Sequence, residues 1–186
     1  MSRTNNLSQN LDFSTVSSDF ETELKIEQLE GRQRRIFAKV PIAHPLEKVW
    51  QTLTDYEAFT EFMPNLTESK LLTHPKGGIR LEEVRTKNFM GMKFSFRSVF
   101  DIEEKFPHEI RYQLIKGDLK ALSGCWRLEP WSFPNQKAGV DLIYDFLILP
   151  KPILPTALVE NILSHDIPTS LLAIRQRIEK LCQEDI

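Results

Sequence analysis

Few side chains in this sequence are of a type and spacing suited to making or breaking bonds. The four histidines, His44, His74, His108 and His165, are scattered, and none stands at ligand spacing from another His or Cys. His44 and His108 adjoin prolines in expected turns, and His165 lies beside Asp166 on an expected outer face of the last helix. Two cysteines, Cys125 and Cys182, are too few for a thiolate metal centre or a disulfide framework. No nucleophile-elbow sequence accompanies a Ser–His–Asp order, and no glycine-rich phosphate cradle occurs. Asp141 and Asp145 alternate with the apolar residues of one strand, which directs them to a solvated face and not to an acid–base pair. Arg85, Arg97, Arg111 and Arg127 also lie on expected strands, where alternation mostly points them outward unless a bulge turns one inside. No catalytic residue, metal ligand or cofactor is therefore expected.

What the sequence supplies instead is aromatic surface: twelve Phe, three Trp and three Tyr. Phe94, Phe96, Phe100, Tyr112, Trp126, Tyr144 and Phe146 fall at same-face positions of successive strands. Phe62 from a short helix and Leu163, Ile167 and Leu171 from the last helix are placed to meet them. Spacing alone favours a solid core over the wall of a ligand cavity. In a cavity, Tyr112 and Tyr144 would offer hydroxyl anchors to a carbonyl or quinone oxygen.

The elements that must position these side chains are legible from periodicity. Leu24 and Ile26 alternate with charges, and after a Glu30-Gly31-Arg32 turn Ile36, Ala38 and Val40 share a strand face. His44-Pro45 opens a helix with Leu46, Val49, Trp50 and Leu53 as one stripe. Asp55 caps a second short helix that stops at Pro64. Strands follow over 66–73, 79–87, 92–103, 109–115, 119–129 and 140–149, with turn signals such as Pro75-Lys76-Gly77-Gly78 between them. A helix from about Thr156 to Leu181 closes the chain, with Pro168 expected to kink or divide it. The class is α+β, a long antiparallel meander covered by one long helix.

The chain has 186 residues, enough for one domain with a full core. Its net charge is −2, from 24 bases and 26 acids, so no general basic field points to nucleic acid. Residues 1–22 are polar and acidic and are expected to form a disordered arm before a domain spanning 23–186. The most apolar stretch, 142–163, is interrupted by Asp145, Lys151 and three prolines, which excludes a spanning helix. The expected location is the cytoplasm, with room for contact at a membrane surface.

The segment AKVPIAHPLEKVWQTLTDYEAFTEFMPNLTESKLL, residues 38–72, resembles the START-like (SRPBCC) superfamily, in particular its polyketide cyclase/dehydrase branch with the coenzyme Q-binding proteins. Ser123-Gly124-Cys125-Trp126-Arg127-Leu128-Glu129-Pro130 is similar to the family's late-strand signature. The resemblance implies a helix-grip fold: a curved antiparallel sheet wrapped around the C-terminal helix, two short helices after the first strands, and an apolar cavity between sheet and helix. It implies binding and carriage of a hydrophobic small molecule, an isoprenoid quinone or other lipid, by a non-catalytic domain. The alternative is a cyclase or dehydratase acting on a polyketide-like or aromatic substrate in the same cavity. Such an enzyme needs an ionisable group inside the pocket, and no inward-facing position offers a clear candidate. Residues 148–155, ILPKPILP, connect the last strand to the helix near the expected mouth. Leu149, Ile153 and Leu154 are the expected membrane contacts, with Lys151 favouring anionic head groups.

Overall fold

The structure, a computed structural model, describes residues 22–132 and 138–184. All but Thr22 of the expected polar arm lies outside the described residues. Eight antiparallel strands form one sheet: β1 Glu23–Gln28, β2 Arg34–Ile42, β3 Leu66–Leu72, β4 Ile79–Phe89, β5 Met92–Lys105, β6 Glu109–Gly117, β7 Ala121–Ser132 and β8 Ala138–Leu149. Their order is β1-β2-β8-β7-β6-β5-β4-β3, so the chain builds a meander and closes it by pairing the last strand with the second. One face is apolar because the strands alternate: Ile36, Ala38, Val40 and Ile42 on β2 are fully buried, as are Val140 and Leu142 on β8.

Helix α1, Leu46–Thr54, starts directly after Pro45, its N-cap residue, and buries Val49, Trp50 and Leu53. Asp55 contributes no side-chain cap to the 3₁₀ turn Tyr56–Glu61. Its backbone carbonyl accepts the Ala58 N–H instead, because a tight turn satisfies its first donors with main-chain oxygens.

The C-terminal helix begins with α2, Thr156–Asn161, and ends with α3, Ile167–Glu184. Between them Ile162–Asp166 is wound as a π turn, and helical backbone continues through both junctions. Pro168 thus neither breaks nor divides the helix. Proline has no N–H for the carbonyl four residues back and would collide with it, and the wider turn ahead of Pro168 relieves that conflict. Side chains take up neighbouring carbonyls, with Ser164 Oγ donating to Glu160 O at 2.7 Å and Thr169 Oγ1 to His165 O at 2.7 Å.

The core is divided. One cluster joins Val49, Leu53, Leu128, Leu142, Leu171, Ile174 and Ile178 around α1 and α3. A second joins Ile36, Phe146, Ile148, Val159 and Leu163 around α2 and the π turn. Each fully buried Leu or Ile stabilises the fold by about 1.5–3 kcal/mol. Tyr144 and Ile167 border both clusters, and the gap between the clusters is the site described next.

Candidate functional site: an apolar cavity with a polar wall

A cavity of about 200 Å³ lies between the sheet and the C-terminal helix. Sheet residues Leu81, Phe96, Phe100, Ile102, Tyr112, Trp126, Tyr144 and Phe146 form one side, and Ile162, Leu163, Ile167 and Ser170 the other. Among them are eight of the residues expected from sequence: Phe96, Phe100, Tyr112, Trp126, Tyr144, Phe146, Leu163 and Ile167.

The other three lie elsewhere, each for a local reason. Leu171 is fully buried in the cluster with Ile174 and Ile178, where the sheet has already closed onto the helix. Phe62 lies outside the cavity against a shallow groove, under the Arg177 guanidinium at 5.6 Å. Phe59, one turn earlier, takes the cavity position. Phe94 is opposite Lys87 on the β4–β5 arm, and of that pair only Lys87 reaches the cavity, at its mouth. Of the expected membrane contacts, Ile153 is 84% exposed, Leu149 is half-buried at the end of β8, and Leu154 lines the cavity.

The aromatic wall is held in place by ring contacts within β8 and across neighbouring strands. Trp126 stacks on Tyr144 at 3.8 Å and 8°, Phe100 meets Tyr112 edge-on at 5.6 Å, and Tyr144 packs on Phe146 at 4.5 Å. Such contacts are worth about 0.5–1.5 kcal/mol each beyond burial. Gly124 lies opposite both Tyr112 and Phe146 in the ladders of β6 and β8. A Cβ there would stand 2.4 Å from Phe146 Cβ and 2.5 Å from Asp145 O, so this crowded stretch of wall admits only glycine.

Tyr112 Oη donates to Tyr144 Oη at 2.9 Å, which leaves the Tyr144 hydrogen available to a ligand. Burial pushes both phenols up, Tyr144 to about 12 and Tyr112 well above its ordinary value. The mutual hydrogen bond and the Arg85 charge hold Tyr144 lower than burial alone would. Both are neutral donors across the physiological range.

Sequence reasoning missed the remaining polar groups of this wall. Glu83 and Arg85 from β4 line the cavity. Arg85 Nε and Nη2 both donate to Glu83 Oε2 at 3.2 Å. Among the described residues, Glu83 Oε1 and Arg85 Nη1 have no hydrogen-bond partner. Burial pulls the guanidinium down, but the acidic groups facing it, the Glu83 carboxylate first, outweigh it, leaving Arg85 above its ordinary value and charged. Arg85 is inside with no bulge needed, because the β4–β5 ladder is regular and pairs Arg85 with Phe96 and Glu83 with Ser98. That register was the missing signal. Strand β4 carries charges on both faces, so alternation could not say which face turns in. Arg97, by contrast, points outward to Glu82, and Asp145 pairs with Arg35 at 3.2 Å on the outer face.

At the mouth, Asn65, Thr86, Lys87 and Asp166 complete the lining. Asp166 ends the π turn, and its carboxylate accepts from Lys87 Nζ and from Asn65 Nδ2, the latter at 3.1 Å.

A curved antiparallel sheet gripping a long C-terminal helix around an apolar cavity defines the helix-grip fold of START-like proteins. The profile of the polyketide cyclase/dehydrase and lipid transport family matches residues 42–175, and the chain belongs to that family. Solved structures with this fold include a STAR-related lipid transfer protein from Xanthomonas axonopodis. It is 18% identical, with a TM-score of 0.66 over 85% of this chain and 93% of that one. A START superfamily protein from Mycobacterium smegmatis is 17% identical, with a TM-score of 0.64 over 79% and 98%. The Zhui aromatase/cyclase from Streptomyces sp. R1128 is 16% identical, with a TM-score of 0.62 over 80% and 94%. No curated protein sequence matches the chain.

Proposed function

We propose that this protein binds and carries a hydrophobic small molecule with an oxygen-bearing ring, such as the head of an isoprenoid quinone or a related lipid. The observation that carries this reading is the gathering of Tyr112, Tyr144, Glu83 and Arg85 onto one wall of a mainly apolar cavity. Tyr144 Oη–H and Arg85 Nη1 are donors suited to a carbonyl or quinone oxygen, while the facing helix offers apolar contact. The volume sets the scale. About 200 Å³ is below the ~300–1,000 Å³ of drug-sized sites, yet above the ~150 Å³ that accommodates benzene. One ring or two fused rings fit, and a prenyl tail would leave through the mouth. No helix among the described residues is long and apolar enough to cross a membrane. In this reading the carrier works in the cytoplasm and visits a membrane surface, with Ile153 touching the bilayer and Leu149 and Leu154 behind it.

A cyclase or dehydratase reading is favoured by one observation, the Glu83–Arg85 ion pair inside the cavity. Tyr144 and Arg85 would hold a substrate carbonyl, and Glu83 would take the proton from the adjacent carbon. The same proton, returned to a departing β-hydroxyl, leaves as water.

Native mass spectrometry of the purified protein, with organic extraction of whatever is bound, tests the first reading. A prenyl quinone or other ring-bearing lipid near one per chain supports it. An empty protein that takes up neither 1,4-naphthoquinone nor lipid overturns it. The second reading requires conversion of a linear poly-β-ketone, abolished in Glu83→Gln while binding survives.

A further inference from the structure

The end of the sheet that carries the cavity mouth also carries the two most exposed large apolar side chains among the described residues, Ile153 and Met90. Strand β6 ends at Gly117 opposite Ser98, and β3 begins at Leu66 opposite Arg85. Beyond those pairs the β4–β5 hairpin runs on alone for the four pairs from Thr86–Ser95 to Phe89–Met92, roughly 13 Å at ~3.3 Å per residue. Its tip is Met90-Gly91, with φ of 49° and 77°. Consecutive positive φ angles make a turn in which Asn and Gly are at ease and a long apolar side chain is strained. Methionine nevertheless occupies the strained position, 82% exposed, with Met92 58% exposed beside it. Local backbone preference does not explain that choice.

Ile153, 84% exposed, stands at the same end, in the loop that follows β8. The loop is fixed there: Arg32 Nη1 donates to Lys151 O at 2.9 Å, and Lys151 Nζ donates to Gly117 O at 2.8 Å. Exposed Lys93, Lys116 and Lys120 lie on the segments between the two apolar tips. Asp118 is the exposed acid among them, and its carboxylate accepts the Arg97 N–H at 2.7 Å. Glu30, in the β1–β2 turn, is farther along this edge, past β7 and β8. Apolar tips set among lysines complement an anionic bilayer, where the tips enter the interface and the ammonium groups meet phosphate. The same arm carries Lys87, whose ion pair with Asp166 ties β4 to the π turn across the mouth.

We propose that this end of the domain docks on an anionic lipid surface, and that docking unlatches the cavity as Lys87 exchanges Asp166 for a lipid phosphate. Docking itself does not depend on the carrier reading. The unlatching rests on it.

Vesicle co-sedimentation tests the docking with the full chain. Wild type is expected to pellet with phosphatidylcholine–phosphatidylserine vesicles and to stay in solution with phosphatidylcholine alone. Replacing Met90→Asn together with Ile153→Ser, both exposed and the first easing its turn, should weaken pelleting by about tenfold or more. Lys93→Glu with Lys120→Glu should do the same on the anionic vesicles. Pelleting that ignores both pairs of changes, or equal binding to neutral vesicles, overturns the docking. For the latch, hydrogen exchange of the amides from Ile162 to Ile167 should quicken on anionic vesicles. Asp166→Asn should show the quick exchange, and faster uptake of 1,4-naphthoquinone, with no vesicles present. Unchanged exchange on docking removes the coupling. Docking without any naphthoquinone uptake, even in Asp166→Asn, removes the carrier reading and leaves the surface standing.

Discussion

Tyr144 is the side chain on which most of the polar wall converges. It accepts from Tyr112, stacks on Trp126, and lies within the field of Arg85. Tyr144→Phe keeps the packing and removes the donor, so naphthoquinone affinity should fall about three- to tenfold, the worth of one hydrogen bond. Calorimetry on folded variant and wild type checks it, and an unchanged affinity would remove the tyrosine from the site. The same phenols predict an alkaline behaviour. All three tyrosines, Tyr56 included, are raised by burial above the ordinary value of 10.0. An unfolded tyrosine ionises near that value, while folded Tyr144 keeps its proton to about 12. Between those values the folded state holds more protons than the unfolded, so stability falls as pH rises through that window. Tyrosinate absorbance should therefore show no step near pH 10 and should rise together with loss of circular dichroism. A phenol titrating early in the folded protein contradicts this.

Strand and helix faces decide how much of the site the sequence discloses. Strands β5, β6, β7 and β8 each carry one clean apolar face, so alternation alone gathers Phe96, Phe100, Tyr112, Trp126, Tyr144 and Phe146 onto one wall. Strand β4 has no such face. Arg80, Glu82, Glu83, Arg85 and Lys87 follow one another closely, and only pairing with β5 turns Glu83 and Arg85 inward. Leu171 failed for the opposite reason: its apolar stripe is real, but one stripe serves both the cavity and the closed core beyond it. The β7–β8 contact gives a test of the crowded wall. Gly124→Ala places a methyl group 2.4 Å from Phe146 Cβ, forcing the strands or the ring to shift. A loss of about 1–3 kcal/mol is expected by denaturant unfolding, together with weaker ligand uptake. No change in either would show that the wall gives way more easily than its spacing implies.

The molecule as a whole trades packing for an interior space. Two clusters that could have met as one core are held apart, and the lost contacts are a cost to the empty protein. Filling the space should recover part of it. Ser170 faces the cavity from α3 and is buried, so Ser170→Leu should raise the melting temperature by a few degrees and abolish ligand binding. Thermal scans with and without naphthoquinone separate the two effects, and a variant that melts lower would argue against a dry, fillable space. The π turn carries a further consequence. A helix behaves as a screw engaged in two nuts, one cluster gripping its first threads and the other its last. The extra residue of the π turn sets the phase between them. Removing one residue from Ile162–Asp166 would keep both ends in phase with their clusters, but it would rewind that thread to an ordinary α-helix and restore the Pro168 clash that the wider turn relieves. Removing one from within α3 would rotate everything beyond it by about 100° and strip the second nut. A one-residue deletion in this chain's closing helix therefore keeps the far end in register at one place only, the place where Pro168 demands the extra residue and which also borders the mouth.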